Sequence, residues 1–351
     1  MLLIILLLIF IVYIIEDYSI KNALNGIEYV QKPSIHVVEP EEEFEIISII
    51  KNKTRRFVSY IKLVEKFSKG INLHIKNQDT VNLTKIYSSY FLMPKQKLER
   101  RVKASIDKRG RYFLYGATIY GGDFLGLKET DKDFNLIEEV VVLPKETNIP
   151  NIDITLSGYL GDVSVNRFIL SDPILTVGFN EYTGYEPQKM ISWPQSAKMN
   201  RLMVKKYDYT LETMVTVILN VDCKSDNYEE LIEKCFSIVR TVCQYLECKN
   251  IKYKFITNAT ISGFDPIWRN MSDGWGENYL MDILEWLGRA TYIHKEFFDK
   301  TLNNALNYAE LGRGHIIITP HMYDEYGYYI EQLRDITGVD VCVIEAEKGG
   351  K

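Results

Sequence analysis

Polar side chains that could hold a ligand follow a buried strand in the C-terminal part of this sequence. Residues 214–221 form a continuous apolar, β-branched run, which is typical of a strand buried on both faces of a parallel sheet. In open α/β sheets, ligands bind beyond the carboxyl ends of the strands. The loop that begins at Asp222 and the later loop that carries His321 are therefore the places where chemistry is expected. Asp222 and Ser225 offer the hard oxygen ligands that a divalent cation prefers, and they are weak candidates for a metal site.

Lys224 weakens this metal hypothesis, because it lies between the two candidate ligands and its ammonium group would repel a cation. The five histidines show no ligand spacing, and none adjoins a plausible nucleophile. The sequence has no nucleophile elbow, no phosphate loop and no Gly-x-Gly-x-x-Gly motif. We therefore expect no catalytic residues, no cofactor and no enzymatic activity. A metal-dependent adhesion-type receptor or a hydrolase, using the loops around Asp222 and His321, stays open as the alternative.

A second concentration of functional side-chain types lies in residues 178–205, which we call the signature segment. Glu181 and Glu186 could form a carboxylate pair beside the stacking surface of Trp193. We favour a structural interpretation, in which Trp193 is packed and the carboxylates bond Lys189 or backbone amides. The segment would then be held against the α/β domain, and a partner-binding surface is the other interpretation.

The spacing within the signature segment resembles that of the domain of unknown function 58 family. That family's pattern is a Gly, Arg-Glu-Tyr, an acidic residue, a basic residue, Ile-Asp-Trp and Ser-Ala-Arg. In the same register this sequence has Gly178, Asn180-Glu181-Tyr182, Glu186, Lys189, Ile191-Ser192-Trp193 and Ser196-Ala197-Lys198. Two positions depart from the pattern, with Asn180 in place of Arg and Ser192 in place of Asp.

Two further passages extend the resemblance towards the N-terminus. Residues 109–112 (Arg-Gly-Arg-Tyr) and 123–127 (Asp-Phe-Leu-Gly-Leu) are similar to one family passage, and residues 140–144 (Val-Val-Val-Leu-Pro) to the strand that closes its first domain. The resemblance implies a membrane-associated protein with a von Willebrand factor A-like domain, working with a MoxR-type AAA+ ATPase. It also implies a cation site of the form Asp-x-Ser-x-Ser, of which only Asp222 is matched here.

Composition is that of an ordinary globular protein, with 351 residues, 46% of them hydrophobic and 25% charged. A net charge of −5 without clustered Lys and Arg argues against nucleic acid as a partner. The five cysteines fall in the last third and do not form a disulfide framework. We interpret them, including Cys243 and Cys248, as buried thiols in a reducing compartment.

An apolar run at the N-terminus predicts a membrane anchor. Residues 2–15 are uninterrupted apolar residues, which as helix cover roughly 21 Å of a hydrocarbon core roughly 30 Å thick. The run lacks the basic region and the cleavage site of a signal peptide. We expect a single-pass protein of the cell membrane, and the implied cytosolic ATPase favours a cytoplasmic soluble part.

The remaining pattern predicts two domains of different class. Short strands are predicted at 44–50, 60–64, 71–75, 86–93, 101–106, 112–115 and 138–143, in the rhythm of an immunoglobulin-like antiparallel β-sandwich. From residue 214 onward strands and helices alternate, with helices predicted at 278–290, 296–309 and 323–337, which indicates a von Willebrand factor A-like, Rossmann-like α/β domain. The predicted boundaries are 1–18 for the anchor, 19–145 for the sandwich, 146–210 for a connecting segment with the family signature, and 211–351 for the α/β domain.

Overall fold

The computed structural model describes residues 10, 12–14, 16–18, 20–74, 85–122, 128–147, 152–168, 176–207, 213–261 and 272–347. The chain divides into two compact units. One unit is Met1–Lys145 together with Leu284–Arg289, and the other is Glu146–Ile283 together with Ala290–Lys351.

Among the residues that the structure describes, the first unit contains ten strands. They are β1 (Ile27–Pro33), β2 (Val37–Val38), β3 (Phe44–Asn52), β4 (Val58–Phe67), β5 (Ile71–His74), β6 (Lys85–Leu92), β7 (Lys97–Ile106), β8 (Gly110–Gly122), β9 (Glu129–Phe134) and β10 (Glu138–Val142). One sheet has the order β1-β3-β7-β5 and the other β2-β10-β8-β4-β6, with β9 paired to β8. All the pairs are antiparallel except the short one between β2 and β10.

Alternating burial along the strands produces the core between these two sheets. In β1 and β3 every second side chain is buried, as expected when one face of a sheet packs and the other meets water. Inward-facing aliphatic and aromatic residues from both sheets form the buried clusters. The predicted β-sandwich is therefore confirmed, although β1, β2 and β9 were not predicted and β8 is much longer than its predicted 112–115.

An N-terminal helical segment, α1, precedes the sandwich. Residues 10, 12–14, 16–18 and 20–22 are helical, and Ala23 and Leu24 after them are buried against Gly121 of β8. Within the described part of the chain, no helix combines the length and apolar character needed to cross a membrane. Residues 1–9, 11 and 15 of the predicted anchor lie outside the described residues.

The second unit carries a parallel sheet flanked by helices. Its elements are α2 (Ile152–Phe168), β11 (Thr176–Glu181), α3 (Trp193–Met199), β12 (Met203–Tyr207), β13 (Met214–Leu219), α4 (Tyr228–Cys248), β14 (Lys252–Thr257), β15 (Ala259–Ile261), α5 (Glu277–Arg289), β16 (Ala290–His294), α6 (Phe298–Leu306), β17 (Gly314–Thr319), α7 (Gly327–Thr337) and β18 (Val341–Glu345). Residues Leu284–Arg289, at the end of α5, belong to the first unit.

Four parallel strands form the central sheet in the order β14-β13-β17-β18. The two middle strands, β13 and β17, are buried almost throughout, because helices cover both faces of such a sheet. The strand–helix alternation predicted from the sequence is thus present.

The structure differs from the sequence prediction at several helix ends. Helix α5 ends at Arg289, and Ala290–His294 is a strand paired to β15 that was not predicted. Helix α6 is shorter than the predicted 296–309. The helix predicted from residue 323 begins at Gly327, after a 3-10 turn at Asp324–Tyr326. Tertiary pairing and turn geometry decided these ends, and neither is visible in residue periodicity.

Candidate functional site

The signature segment folds as an antiparallel hairpin with a short helix between its strands. Strand β11 pairs with β12, so that Asn180 lies opposite Val204 and Glu181 opposite Met203. A 3-10 turn at Gln188–Met190 and then α3 connect the two strands. The segment is therefore a small folded element, whereas it was predicted to be part of a connecting segment.

Buried serines hold α3 against β12. The Ser196 hydroxyl donates to the carbonyl of Ser192 at 2.8 Å and accepts from the backbone N–H of Met203 at 2.8 Å. The backbone N–H of Ser192 donates to the Met203 carbonyl at 2.8 Å. Ser196 thus has a structural role, because its buried hydroxyl bonds both the carbonyl of Ser192 and the backbone N–H of Met203 and so joins α3 to β12.

The charged residues of the signature segment pair locally and do not converge on one site. The Glu186 carboxylate accepts from the backbone N–H of Thr183 at 3.0 Å and from its hydroxyl at 2.9 Å. Bonds from the backbone amides of Glu186 and Thr183 hold the pKa of the Glu186 carboxyl below its ordinary value. Glu181 pairs with Arg201 at 3.1 Å on the surface. Lys189 is exposed on the 3-10 turn.

The expectation that Trp193 is packed is wrong. Its side chain is 68% exposed, and Tyr185 in the same segment is 96% exposed. The inward positions of the hairpin are occupied by Ser192, Ser196 and two residues of β12, so the indole is left on the outside. The half-buried Tyr182 contributes its backbone N–H to the Leu202 carbonyl at 2.8 Å.

Three further large apolar side chains extend this exposed surface. Phe179, Met199 and Leu202 are each more than a third exposed, on the same hairpin. We call the five residues Phe179, Tyr185, Trp193, Met199 and Leu202 the aromatic surface. Exposed apolar side chains concentrated on one small folded element are typical of a binding surface for another protein.

The carboxyl end of the parallel sheet is closed by a buried cluster of amides. Asn220, after β13, donates from Nδ2 to the Thr319 hydroxyl at 3.0 Å and accepts from Nδ2 of Asn258 at 3.0 Å. Its side-chain oxygen also accepts from the backbone N–H of Asp222 at 2.8 Å. Sequence reasoning missed this cluster. The available signal was a polar residue at the end of each of three apolar strands.

The candidate metal ligands Asp222 and Ser225 lie at this same end of the sheet. Asp222 is nearly buried, and the Ser225 hydroxyl accepts from the backbone N–H of Asn227 at 3.4 Å. The Lys224 ammonium group lies 3.0 Å from the Glu325 carboxylate and over the ring of Tyr323. Its hydrogen bond and ion pair with Glu325, and more weakly the charge of Asp222, raise the pKa of Lys224.

The residues at this end do not fit the divalent cation that the family resemblance implies. A permanent positive charge stands close to the only matched ligand, Asp222, and repels an ion from it. His321 pairs instead with Glu347 at 2.7 Å. Among the described residues, no group of three or more His, Cys, Asp or Glu side chains is placed to hold a metal ion.

The cysteines lie mainly in the interior of the second unit. Cys235, Cys243 and Cys342 are buried, and desolvation raises the pKa of each thiol, that of Cys342 to about 11. Cys223 is half-buried, whereas Cys248 is exposed at the end of α4, so the prediction of a buried thiol is wrong there. Leu246 is the last buried residue of α4, and Cys248 follows it at the exposed end of the helix.

Comparison with known proteins adds little to this description. No family model matches the chain, and no curated protein matches it significantly. A solved structure of the CARDB domain of the PF1109 protein from Pyrococcus furiosus is similar over 34% of this chain and 90% of its own length, at 15% identity and a TM-score of 0.24. A human complex of Zinc 2-glycoprotein and Prolactin inducible protein is similar over 34% of this chain and 94% of its own length, at 12% identity and a TM-score of 0.23.

A b-glucosidase from Erythrobacter marinus is similar over 33% of this chain and 15% of its own length, at 10% identity and a TM-score of 0.20. At these scores the similarities carry no functional argument. The two-unit architecture described above rests on the strand pairing of this chain alone.

Proposed function

We propose that this chain is a membrane-anchored, non-enzymatic interaction protein that works with a MoxR-type AAA+ ATPase. The proposed architecture is an N-terminal membrane helix, an immunoglobulin-like sandwich and a von Willebrand factor A-like domain that faces the cytoplasm. The aromatic surface is the observation that carries the proposal. It presents Tyr185 and Trp193 to solvent on an element whose own polar groups are satisfied internally.

The local pairing of charged residues supports a binding role over a catalytic one. Catalysis by two carboxylates requires both to face one reacting centre. Glu186 instead accepts from Thr183 in its own turn, and Glu181 pairs with Arg201, which precedes β12. The resemblance to the domain of unknown function 58 family supplies the MoxR-type ATPase as the proposed partner.

Binding of a purified MoxR-type ATPase to the full chain in lipid nanodiscs tests the proposal. Two exposed aromatic residues are removed in Tyr185→Ala/Trp193→Ala. The matched control Trp275→Ala/Tyr328→Ala removes an exposed Trp and an exposed Tyr outside the signature segment. Interfacial Trp and Tyr residues often dominate binding energy, so the first variant should bind at least about tenfold more weakly than the parent. The control should bind like the parent. Equal binding by both variants, or no binding by the parent, contradicts the proposal.

A further inference from the structure

Two loops lie side by side at one end of the β-sandwich. One joins β3 to β4 and the other joins β6 to β7. The buried Asn52 side chain donates to the carbonyl of Arg56 at 2.8 Å and to that of Met93 at 3.0 Å. The backbone N–H of Lys95 donates to the Thr54 carbonyl at 3.0 Å. These bonds fix the two loops relative to one another, so their exposed side chains form one surface.

Helix α1 reaches the same end of the sandwich. The backbone N–H of Lys53 donates to the carbonyl of Gly26, just after α1, at 2.8 Å. The Arg56 guanidinium lies 5.2 Å from the ring centre of Tyr18, and the Lys128 ammonium group lies 5.9 Å from that of Tyr13. Cations from the sandwich therefore cover aromatic rings of the helix.

Large apolar side chains are exposed at this end. Phe57 is 49%, Phe91 58% and Met93 51% exposed, and the two phenylalanine rings lie 6.3 Å apart. The described residues of α1 add exposed Phe10, Val12 and Ile14. Exposed apolar side chains of this size, gathered at one end of a domain, are unfavourable in water and indicate a contact with another phase or molecule.

Cations surround these apolar side chains. Arg55, Arg56 and Lys95 are exposed, and no carboxylate within the described residues pairs with them. The other cations nearby are compensated, because Lys53 pairs with Glu28 and Lys97 with Glu99. We call Arg55, Arg56, Phe57, Phe91, Met93 and Lys95 the basic-aromatic end.

We propose that the basic-aromatic end lies on an anionic lipid surface and so fixes the orientation of the sandwich on the membrane. Exposed Phe and other apolar side chains of a surface-bound protein insert at the boundary between headgroups and acyl chains, and basic side chains are attracted to anionic headgroups. This inference rests on the proposed membrane anchoring, since α1 continues the apolar run that begins at residue 2. A second copy of the chain is a poorer occupant. A two-fold contact would set the same cations of both copies against each other.

The test uses the full chain in vesicles of phosphatidylcholine alone and of equal parts phosphatidylcholine and phosphatidylglycerol. Hydrogen exchange of the backbone amides in residues 53–57 and 93–96 is the readout. The variant Arg55→Glu/Lys95→Glu reverses two charges at the basic-aromatic end. The matched control Lys69→Glu/Lys108→Glu reverses two exposed charges in the loops at the opposite end of the sandwich.

In the parent and the control, exchange in these loops should be slowed about tenfold in the anionic vesicles relative to the neutral ones, since each basic residue near an anionic surface adds to the attraction. Added salt should reduce this difference. In the charge-reversed variant, exchange should be equal in the two lipids. Equal exchange of the parent in both lipids overturns the inference. So does protection that depends on protein concentration rather than on lipid charge, which would identify a second copy as the occupant.

Failure of the anchoring proposal has a different signature. If the full chain is washed from both kinds of vesicle by high salt, then the proposed membrane anchor is wrong, whatever the exchange of the loops. If it is retained equally on both and only the protection is absent, then the anchor stands and the surface contact is wrong.

Discussion

At the scale of single residues, His315 of the second unit is a buried base with a lowered pKa. It lies in the buried strand β17, where its Nδ1 atom has no hydrogen-bond partner. Desolvation, and secondarily the charge of Arg313, lower its pKa to about 4 from the usual 6.5. Arg313 is itself buried and forms a two-bond pair with Asp273, at 2.7 and 2.8 Å. His315 is therefore neutral in the folded protein at neutral pH.

A pH dependence follows, because the folded pKa of His315 is lower than its unfolded pKa. Above pH 6.5 the imidazole is neutral in both states, and the folded protein keeps its full stability. As the pH falls towards 4, the unfolded chain binds a proton that the folded protein does not, so the free energy of unfolding decreases. We expect the free energy of unfolding of the second unit to fall by about 3 kcal/mol over this window from this group alone. His315→Asn should remove that part of the slope, whereas His321→Gln, at a half-exposed histidine, should not. Denaturant unfolding at several pH values measures both, and identical slopes for all three proteins would contradict the account.

Trp193 gives the second prediction at this scale. Because its side chain is mostly exposed, Trp193→Ala should change the free energy of unfolding by less than about 1 kcal/mol. The buried Trp286 is the matched control, and Trp286→Ala should cost about 3 to 5 kcal/mol. Thermal and urea unfolding of the two variants test this difference. A large loss of stability in Trp193→Ala would mean that the indole is packed after all.

At the scale of elements, a buried polar belt crosses the interior of the β-sandwich between its two apolar clusters. Glu65 of β4 is fully buried, forms an ion pair with Arg100 of β7 at 2.5 Å and accepts from Tyr29 of β1 at 2.9 Å. Ser48 of β3 also donates to Glu65, and Arg100 also donates to Ser88 of β6. Burial, and then the charge of Glu65, raise the pKa of Tyr29. The belt joins strands of both sheets through directional bonds.

A double-mutant cycle tests this connection between the sheets. Removing one member of a buried ion pair leaves the other without compensation, so Glu65→Leu and Arg100→Met should each cost about 3 to 5 kcal/mol. The double variant should cost less than the sum by about 2 kcal/mol or more. The exposed pair Glu43 and Lys103 is the control, with an expected coupling of less than about 1 kcal/mol. Additive costs at Glu65 and Arg100 in urea unfolding would show that the pair does not couple the sheets.

Helices and strands could be predicted from the sequence where a single pattern of apolar residues runs along the whole element. The alternation of β3 and the apolar run of β13 were each located to within two residues, because burial on one face or on both leaves a direct pattern. In β7 the alternate charged side chains Lys97, Glu99, Arg101 and Lys103 are exposed, whereas Arg100 turns inward to Glu65. Side-chain partners from distant strands decide such cases, and a single sequence does not show them.

The candidate site could be located but not described from the sequence. Spacing within the signature segment directed attention to Trp193, and its burial was predicted wrongly because the small residues Ser192 and Ser196 fill the inside of the hairpin. The amide cluster around Asn220 was missed, since it depends on which loops meet at the end of the sheet. The structure places the Lys224 ammonium group beside Glu325, and its opposition to metal binding stays a prediction.

At the scale of the whole molecule, the chain divides into two compact units, and the first of them begins with a helical N-terminal segment. Exposure changes along α1 and the turn that follows it. Phe10, Val12 and Ile14 of the helix are exposed, whereas Glu16 of the helix and Ala23 and Leu24 of the turn are buried. Glu16 and the turn after α1 therefore belong to the packed part of the sandwich unit. The exposed N-terminal half continues the apolar run 2–15, which we propose to lie in the membrane.

Partition of the full chain and of a variant lacking residues 1–15 between membrane and soluble fractions tests the central claim most directly. The variant keeps Glu16 and the packed residues after it, so it should fold and unfold like the parent. After washing in alkaline carbonate with high salt, which removes surface-bound protein, the full chain should stay with the membranes and the variant should be soluble. A full chain that is released by this wash, or a folded variant that remains with the membranes, would contradict the account of a membrane-anchored interaction protein.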